Sequence, residues 1–306
     1  MTSIKLGERP RGIWDEEEMR EVFPEKPARR GRGLTAGLRG LAAGLRGEVN
    51  GRSLGSELAH ELTRGTQPSV IYAPATGTHG NFVDASYKRI LARPEWARRL
   101  MKAHTAKRQA RPTGADEEVR EWKELDTATS SDALLMNVFC YPRVWTPGLR
   151  ALMGVEARTE VEFGVRSTAV LKGGLVNTTE IDMRVGDLLV EAKLTEADFQ
   201  FAPIRRAERH ETLDDVFERE MLEVTRRGVR SYQLIRGVLA AHASGGRFFV
   251  LCDGRRGDLI EDWYAVMCAV RGVELRGRMG LVTWQEVVKK VPGRLREFLG
   301  EKYGIQ

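Results

Sequence analysis

The chain has 306 residues, 42% hydrophobic and 30% charged, with a formal net charge of +6. That balance fits a globular protein with a sizeable core and excludes a disordered or fibrous chain. No apolar run approaches the roughly 18 residues that a membrane-spanning helix needs. The first residues lack the apolar stretch of a secretory signal, so a cytoplasmic location with no membrane partner is expected. Cys140, Cys252 and Cys268 are far apart, match no disulfide framework or zinc spacing, and read as buried free thiols. A basic chain is drawn to polyanions, which raises nucleic acid as a partner without establishing it.

Residues 1–30 mix charge clusters with prolines and read as an extended or partly disordered arm. Residues 31–129 read as mostly helical. A short repeat, Leu34 to Gly40 followed by Leu41 to Gly47, spaces leucines as one helical face, with Arg39 and Arg46 beside it. Residues 52–64 and 83–108 also read as helices. The second holds Lys88, Arg89, Arg93, Arg98, Arg99, Lys102, Lys107 and Arg108, either a solvated face or a phosphate-contacting one. Residues 109–118, with Pro112 and Gly114, read as an exposed connection.

From Ser130 the pattern becomes regular. A serine-capped helix through Leu134, Leu135, Val138 and Phe139 precedes three strand-like runs, at 159–165, 178–185 and 188–193. A long helix is expected over 213–243, then a buried strand at Arg247 to Asp253, a helix over 259–271, an edge strand at 280–284 and a closing helix from 285. The expected fold class is therefore α/β, a sheet covered by helices, with residues 130–306 as its core unit.

The chemistry concentrates in Thr179 to Leu194. Gly186-Asp187 suits a two-residue hairpin turn between two strand-like runs. Continuing that register puts Asp182 opposite Glu191 and Glu180 opposite Lys193, all four on one side of the sheet. Ile181, Met183, Val190 and Ala192 then make an apolar face on the other. Opposed carboxylates repel unless a cation intervenes, and Lys193 and a divalent metal are the two candidates. Hard carboxylate oxygens suit Mg²⁺, with Mn²⁺ able to substitute. The bland alternative is an amphipathic hairpin with its charges in water.

Asp182 followed after eight residues by Glu191-Ala-Lys193 resembles the PD-(D/E)XK motif of restriction-endonuclease-like nucleases, with Ile181 where the namesake proline would stand. The resemblance implies an αβββαβ core with a mixed central sheet, a mostly helical N-terminal extension, and Mg²⁺-dependent hydrolysis of phosphodiesters, most simply in DNA. It implies Asp182 and Glu191 as metal ligands, Lys193 as the residue that positions water or stabilises the transition state, and a further acid, Glu162 or less directly Glu160. Gln233, with Arg236 one turn on, resembles the polar residue that many members carry on the next helix. A narrower group of bacterial restriction-endonuclease-like proteins is similar at His79-Gly80-Asn81-Phe82, at Ser130-Ser131-x-Ala133 with Asn137 and Phe139, and at Tyr232-Gln233-Leu234-x-Arg236. Cutting both strands of a duplex would favour a homodimer. A catalytically silent nucleic-acid-binding protein of the same fold is the competing expectation.

Other signals stay open. Arg205, Arg206 and Arg209 either clamp a nucleic-acid strand or belong to a solvated loop. Phe199 and Phe201 suit core packing or base stacking. His79 could contact phosphate or form a local turn hydrogen bond. The five histidines show no metal spacing, and neither a nucleophile elbow nor a phosphate-binding P-loop is present.

Overall fold

The computed structural model of the chain describes residues 32–53, 58–61, 69–72, 74–103, 109–112, 120–156, 159–166, 169–177, 180–226 and 228–306. The expected arm at 1–30, together with Lys107 and Arg108, lies outside the described residues.

In chain order, helix α1 (Arg32–Ser53) precedes strands β1 (Leu58–Glu61), β2 (Ser69–Tyr72), β3 (Pro74–Ala75) and β4 (Thr78–His79). Helices α2 (Asp84–Leu91) and α3 (Pro94–Leu100) follow, then strands β5 (Gln109–Pro112) and β6 (Arg120–Glu121). Helices α4 (Ser131–Phe139) and α5 (Pro147–Met153) lead into β7 (Val161–Arg166), β8 (Ala169–Leu171), β9 (Leu175–Asn177), β10 (Glu180–Val185) and β11 (Leu188–Ala192). Short helices α6 (Ile204–Ala207) and α7 (Leu213–Val216) come before β12 (Val224–Thr225), β13 (Gly228–Val229) and helix α8 (Tyr232–Ser244). The chain closes with β14 (Arg247–Cys252), α9 (Gly257–Cys268), α10 (Val273–Gly277), β15 (Met279–Thr283), α11 (Trp284–Val288) and α12 (Gly293–Tyr303). None of the described helices is long and apolar enough to cross a membrane.

The central sheet is mixed, with strand order β15-β14-β11-β10-β7. β7, β10 and β11 form an antiparallel meander, whereas β14 runs parallel to both β11 and β15. The turn at Gly186-Asp187 joins β10 to β11 with Val185 facing Leu188, as the hairpin pattern predicts. Arg247 pins this turn with two hydrogen bonds to the Asp187 carboxylate, of 2.7 and 3.0 Å.

Each face of the sheet carries its own apolar core. Met183, Val185, Leu188, Val190, Ala192, Leu251 and Val282 pack with residues of α4, α5, α11 and α12. Ile181, Leu189, Phe248, Val250 and Cys252 pack under residues of α8 and α9. Burial of each large apolar side chain contributes roughly 1.5–3 kcal/mol, so these two layers dominate the fold's stability. The first core also takes in Leu45, Val49, Val70, Phe82 and Ile90 from the N-terminal region.

Several elements differ from their sequence pattern. The expected helix over 52–64 ends at Ser53, and Leu58–Glu61 is a strand. Strands β2, β1, β5 and β6 make a second sheet within a region expected to be mostly helical, and β5 falls in the expected connection at 109–118. The helix expected over 83–108 is two short ones, because Arg93, preceding Pro94, takes an extended conformation. The helix expected over 213–243 is continuous only from Tyr232. Before it, Val229 exchanges backbone hydrogen bonds with Ala202, of 2.8 and 3.1 Å, and draws the preceding chain into a two-stranded hairpin.

The segment His79-Gly-Asn-Phe is held by a network of buried hydrogen bonds. Asn81 donates to Leu125 O and Thr127 O, and Asn137 on α4 joins Asn81 O to Val83 N. His79 receives the Asn81 N–H and meets Asp126 at 3.1 Å, the local turn reading of this residue.

Helix α8 lies close enough to the sheet that a Cβ on Gly237 would fall 2.2 Å from the buried Phe248 ring. Gly237→Ala is therefore expected to destabilise the protein by about 1–3 kcal/mol through overpacking, despite alanine's better helix propensity. A denaturant titration that found the variant as stable as the parent would contradict this packing.

Candidate active site

The β10–β11 hairpin ends in a cluster of ionisable side chains. Glu191 lies on the central strand β11 between β10 and β14, which explains why it is only 3% exposed. Lys193 is 5% exposed, and its Nζ is 2.6 Å from Glu191 Oε1. The Lys193 backbone is fixed from two sides. Its N–H donates to Leu251 O at 2.7 Å, and the Trp284 indole donates to its carbonyl at 2.9 Å. Leu194 N–H donates to Glu196, whose other carboxylate oxygen accepts from Ser131 at the start of α4.

The register brings Asp182 level with Glu191, but the ladder is altered there. Asp182 Oδ2 accepts the Ala192 N–H at 2.8 Å, a side chain taking the place of backbone pairing. The regular pairs end at Met183–Val190. Ile181 consequently packs in the second core and Met183 in the first, instead of sharing the single apolar face expected.

Beside Asp182 stand two cations from α3 and the turn after it. Arg99 bonds Asp132 on α4 at 2.8 Å and Glu180 at 2.6 Å, and lies 3.7 Å from Asp182. Lys102 bonds Asp132 at 2.6 Å and Glu180 at 3.2 Å. Gly164, level with Asp182 on β7, makes room for this guanidinium: a Cβ there would fall 2.5 Å from Arg99 Nη1. Burial works against charge on Arg99 and Lys102, but the carboxylates outweigh it and hold both above their ordinary range. The same pairs hold Asp132 and Glu180 below the usual carboxylate range against the opposing effect of burial.

Asp182 is the exception. Burial, then the charges of Glu191 and Asp132, push its carboxyl up to about 8, with Lys193 and Lys102 opposing. Lys193 goes the other way. Burial alone would lower it, but Glu191, Glu196 and Asp182 hold it above the usual lysine range.

Helix α8 closes the other side. Arg236 feels the charges of Glu191 and Asp182, while burial, its strongest influence, lowers it. Gln233 Oε1 and Arg236 Nε are buried without a hydrogen-bond partner among the described residues. Phe199 lies in the second core with its ring 5.7 Å from Lys193 Nζ, the packing alternative for that residue. Two non-glycine residues with left-handed backbones, Gln200 (φ +64) and Ser231 (φ +55), flank the junction with α8. There Tyr232 N–H donates to Gln200 O and Gln233 N–H to Phe199 O, both at 3.0 Å. Such strained positions persist where surrounding contacts over-determine them.

The structure brings together Asp182, Glu191 and Lys193, with the charge of Arg236 on α8 within their reach, and Gln233 stands on the same helix. It does not bring Glu162 to them. That residue is exposed and receives two bonds from Arg184, its cross-strand partner, at 2.7 and 2.8 Å. Glu160 is exposed as well. The acid that acts on Asp182 from an earlier element is Asp132, which sequence reasoning missed. Its signal was available, as the one acidic residue of the largely apolar helix Ser131–Phe139. Arg99, expected in a solvated or phosphate-contacting face, is buried at the carboxylates instead. Arg206 and Arg236 approach the Tyr232 ring, Arg206 from an exposed position, while Arg205 and Arg209 are exposed as well, Arg209 with its charge acting on His210. Among the described residues, no group of three or more His, Cys, Asp or Glu side chains is arranged to hold a metal ion.

A family model described as "restriction endonuclease associating with ARP" matches residues 57–304, most of the chain. No curated protein and no solved structure matches it.

The state of Asp182 has a measurable consequence. Its carboxyl is raised from an ordinary 3.8 to about 8 in the folded protein, so the fold binds this proton more tightly than the unfolded chain does. The resulting stability is complete below about pH 4 and is lost as pH rises toward about 8. Without divalent cations, Asp182→Asn should flatten that part of the stability–pH profile. Mg²⁺ or Mn²⁺ should raise the melting temperature of the parent near pH 8 and leave the variant unmoved. Identical profiles for the two proteins would count against this charge balance.

Proposed function

The chain belongs to the restriction-endonuclease family so described, and we propose that it is a divalent-cation-dependent endonuclease that hydrolyses phosphodiesters in DNA. The observation that carries this reading is the placing of Asp182 near Glu191, beside a charged, buried Lys193. The sequence of helix α4, strands β7, β10 and β11, helix α8 and strand β14 supports an αβββαβ core around these residues.

The residues fit a Mg²⁺ or Mn²⁺ ion. The donors are hard carboxylate oxygens, and burial together with the charges of Glu191 and Asp132 pushes the Asp182 carboxyl up to about 8, a cost to its charged form that a dication would relieve. Asp182 and Glu191 would hold the ion. Bound there, it supplies polarisation of the phosphodiester and a water of lowered pKa.

The chain's own groups do the remaining work. Lys193 stays protonated, so it does not take the proton of the attacking water. Its role is to donate hydrogen bonds and offset negative charge that grows on the phosphoryl oxygens, an effect strengthened by burial. Gln233 presents an unpartnered amide oxygen that suits an attacking water. Arg205, Arg206, Arg209 and Arg236 would attract and orient the nucleic-acid backbone. Asp132 acts through Arg99 and Lys102 by fixing them beside Asp182.

The test is cleavage of supercoiled plasmid and of labelled single strands in Mg²⁺, Mn²⁺ or EDTA. Metal-dependent cutting should fall at least about 100-fold in Lys193→Ala and in Asp182→Ala, with the fold retained. Cutting that persists in both variants would remove these residues from the mechanism. Salt-sensitive binding with no cleavage by the parent would favour a catalytically silent binding protein.

A further inference from the structure

Next to the carboxylate–lysine centre lies a second polar cluster. His210 is 1% exposed, and its Nε2 is 3.0 Å from the Tyr232 hydroxyl. Its Nδ1 is buried with no hydrogen-bond partner among the described residues, and the same holds for Arg236 Nε. A buried polar atom left unpaired is unfavourable, so two in neighbouring side chains point to a missing ligand. The Arg236 and Arg206 guanidinium carbons lie 5.5 and 5.9 Å from the Tyr232 ring centroid.

The backbone holds this cluster firmly. Lys172 N–H on the β8–β9 turn donates to Arg209 O at 2.8 Å, and Glu211 N–H to Val170 O at 3.2 Å, with His210 between them. Tyr232 is fixed by its own N–H to Gln200 O. Burial, then the charges of Arg236 and Arg209, drives His210 down to about 4, so its imidazole is neutral at physiological pH. When the Tyr232 hydroxyl donates to Nε2, the neutral ring carries its proton on Nδ1. Both unpartnered atoms are then donors, set among arginines, and the ligand they suit is an acceptor-rich anion. Arg236 links the two clusters, because its charge interacts with Glu191 and Asp182 as well as with Tyr232.

We infer that His210, Tyr232, Arg206 and Arg236 form a phosphate subsite that holds the phosphodiester next to the one hydrolysed. Adjacency to the hydrolysed phosphodiester rests on the nuclease reading; capture of a phosphate does not. The subsite fixes the strand through its backbone and carries no base information, as phosphate contacts do.

The experiment is fluorescence anisotropy of a labelled single-stranded oligonucleotide in EDTA, where cleavage cannot intervene. Tyr232→Phe removes one hydroxyl and Arg206→Gln one charge, while Arg294→Gln on α12 controls for loss of surface charge. Tyr232→Phe and Arg206→Gln should each weaken binding about fivefold or more, and Arg294→Gln should not. Arg206→Gln should also lower the salt dependence by about 0.7 of a log unit per log unit of salt. In parallel, inorganic phosphate added to the parent should shift the His210 ring signals in ¹H–¹⁵N NMR spectra. Folded variants that bind as tightly as the parent, with His210 signals unmoved by phosphate, would overturn the subsite. Weakened binding in the variants of a protein that cuts nothing would sustain the subsite and sink the nuclease reading. Cleavage by a protein whose variants bind normally would do the reverse.

Discussion

Two carboxylates held side by side where an antiparallel ladder ends repel each other, and the surroundings of Asp182 and Glu191 answer that repulsion. Lys193 neutralises Glu191 directly, and Arg99 with Lys102 neutralises Asp132 and Glu180. Asp182 is left with one backbone N–H and a guanidinium at 3.7 Å. Removing one partner from a buried ionic set leaves a charge whose cost exceeds what the pair contributed. The arrangement is therefore balanced, with its remaining demand for positive charge centred on one carboxylate.

Such a balance requires rigid support. Glu191 and Lys193 sit at the end of the central strand, which is paired on both sides and covered on both faces by apolar cores. The helix that bears Gln233 and Arg236 is tied to the post-lysine segment through Phe199 and Gln200. The N-terminal region shares in the same support: its residues enter the first core, and its helix α3 delivers Arg99 to the carboxylates. A boundary near residue 130 is visible in composition but not in packing.

The β10–β11 hairpin was legible because the side-chain period of a strand is two and Gly186-Asp187 marks the turn. Spacing alone thus sets Asp182 opposite Glu191 with Lys193 beyond it, while their reading as an active centre came from the family resemblance. The later strands β14 and β15 were legible for a related reason, as short apolar runs between polar turns. The segment before α8 was not. Its apolar residues fit a helical face, and the backbone exchange between Ala202 and Val229 that breaks the helix is long-range. Glu162 was expected at the centre because the family resemblance implies a further acid before Asp182, but the cross-strand Arg184 holds it elsewhere.

By itself the sequence determined the chemistry available: a carboxylate pair and a lysine at strand spacing, on an α/β chain with excess positive charge. Only the tertiary structure decided which other groups share that site. Asp132, Arg99 and His210 come from the first turn of a helix, a basic run and a loop, and no local periodicity relates them to the hairpin. Their meeting depends on how helices pack across the sheet, which is set by apolar burial on two faces rather than by the spacing of polar residues. The charge state of Asp182 belongs to the same level. It follows from desolvation and from neighbours distant in sequence, and exists only once both cores have closed around it.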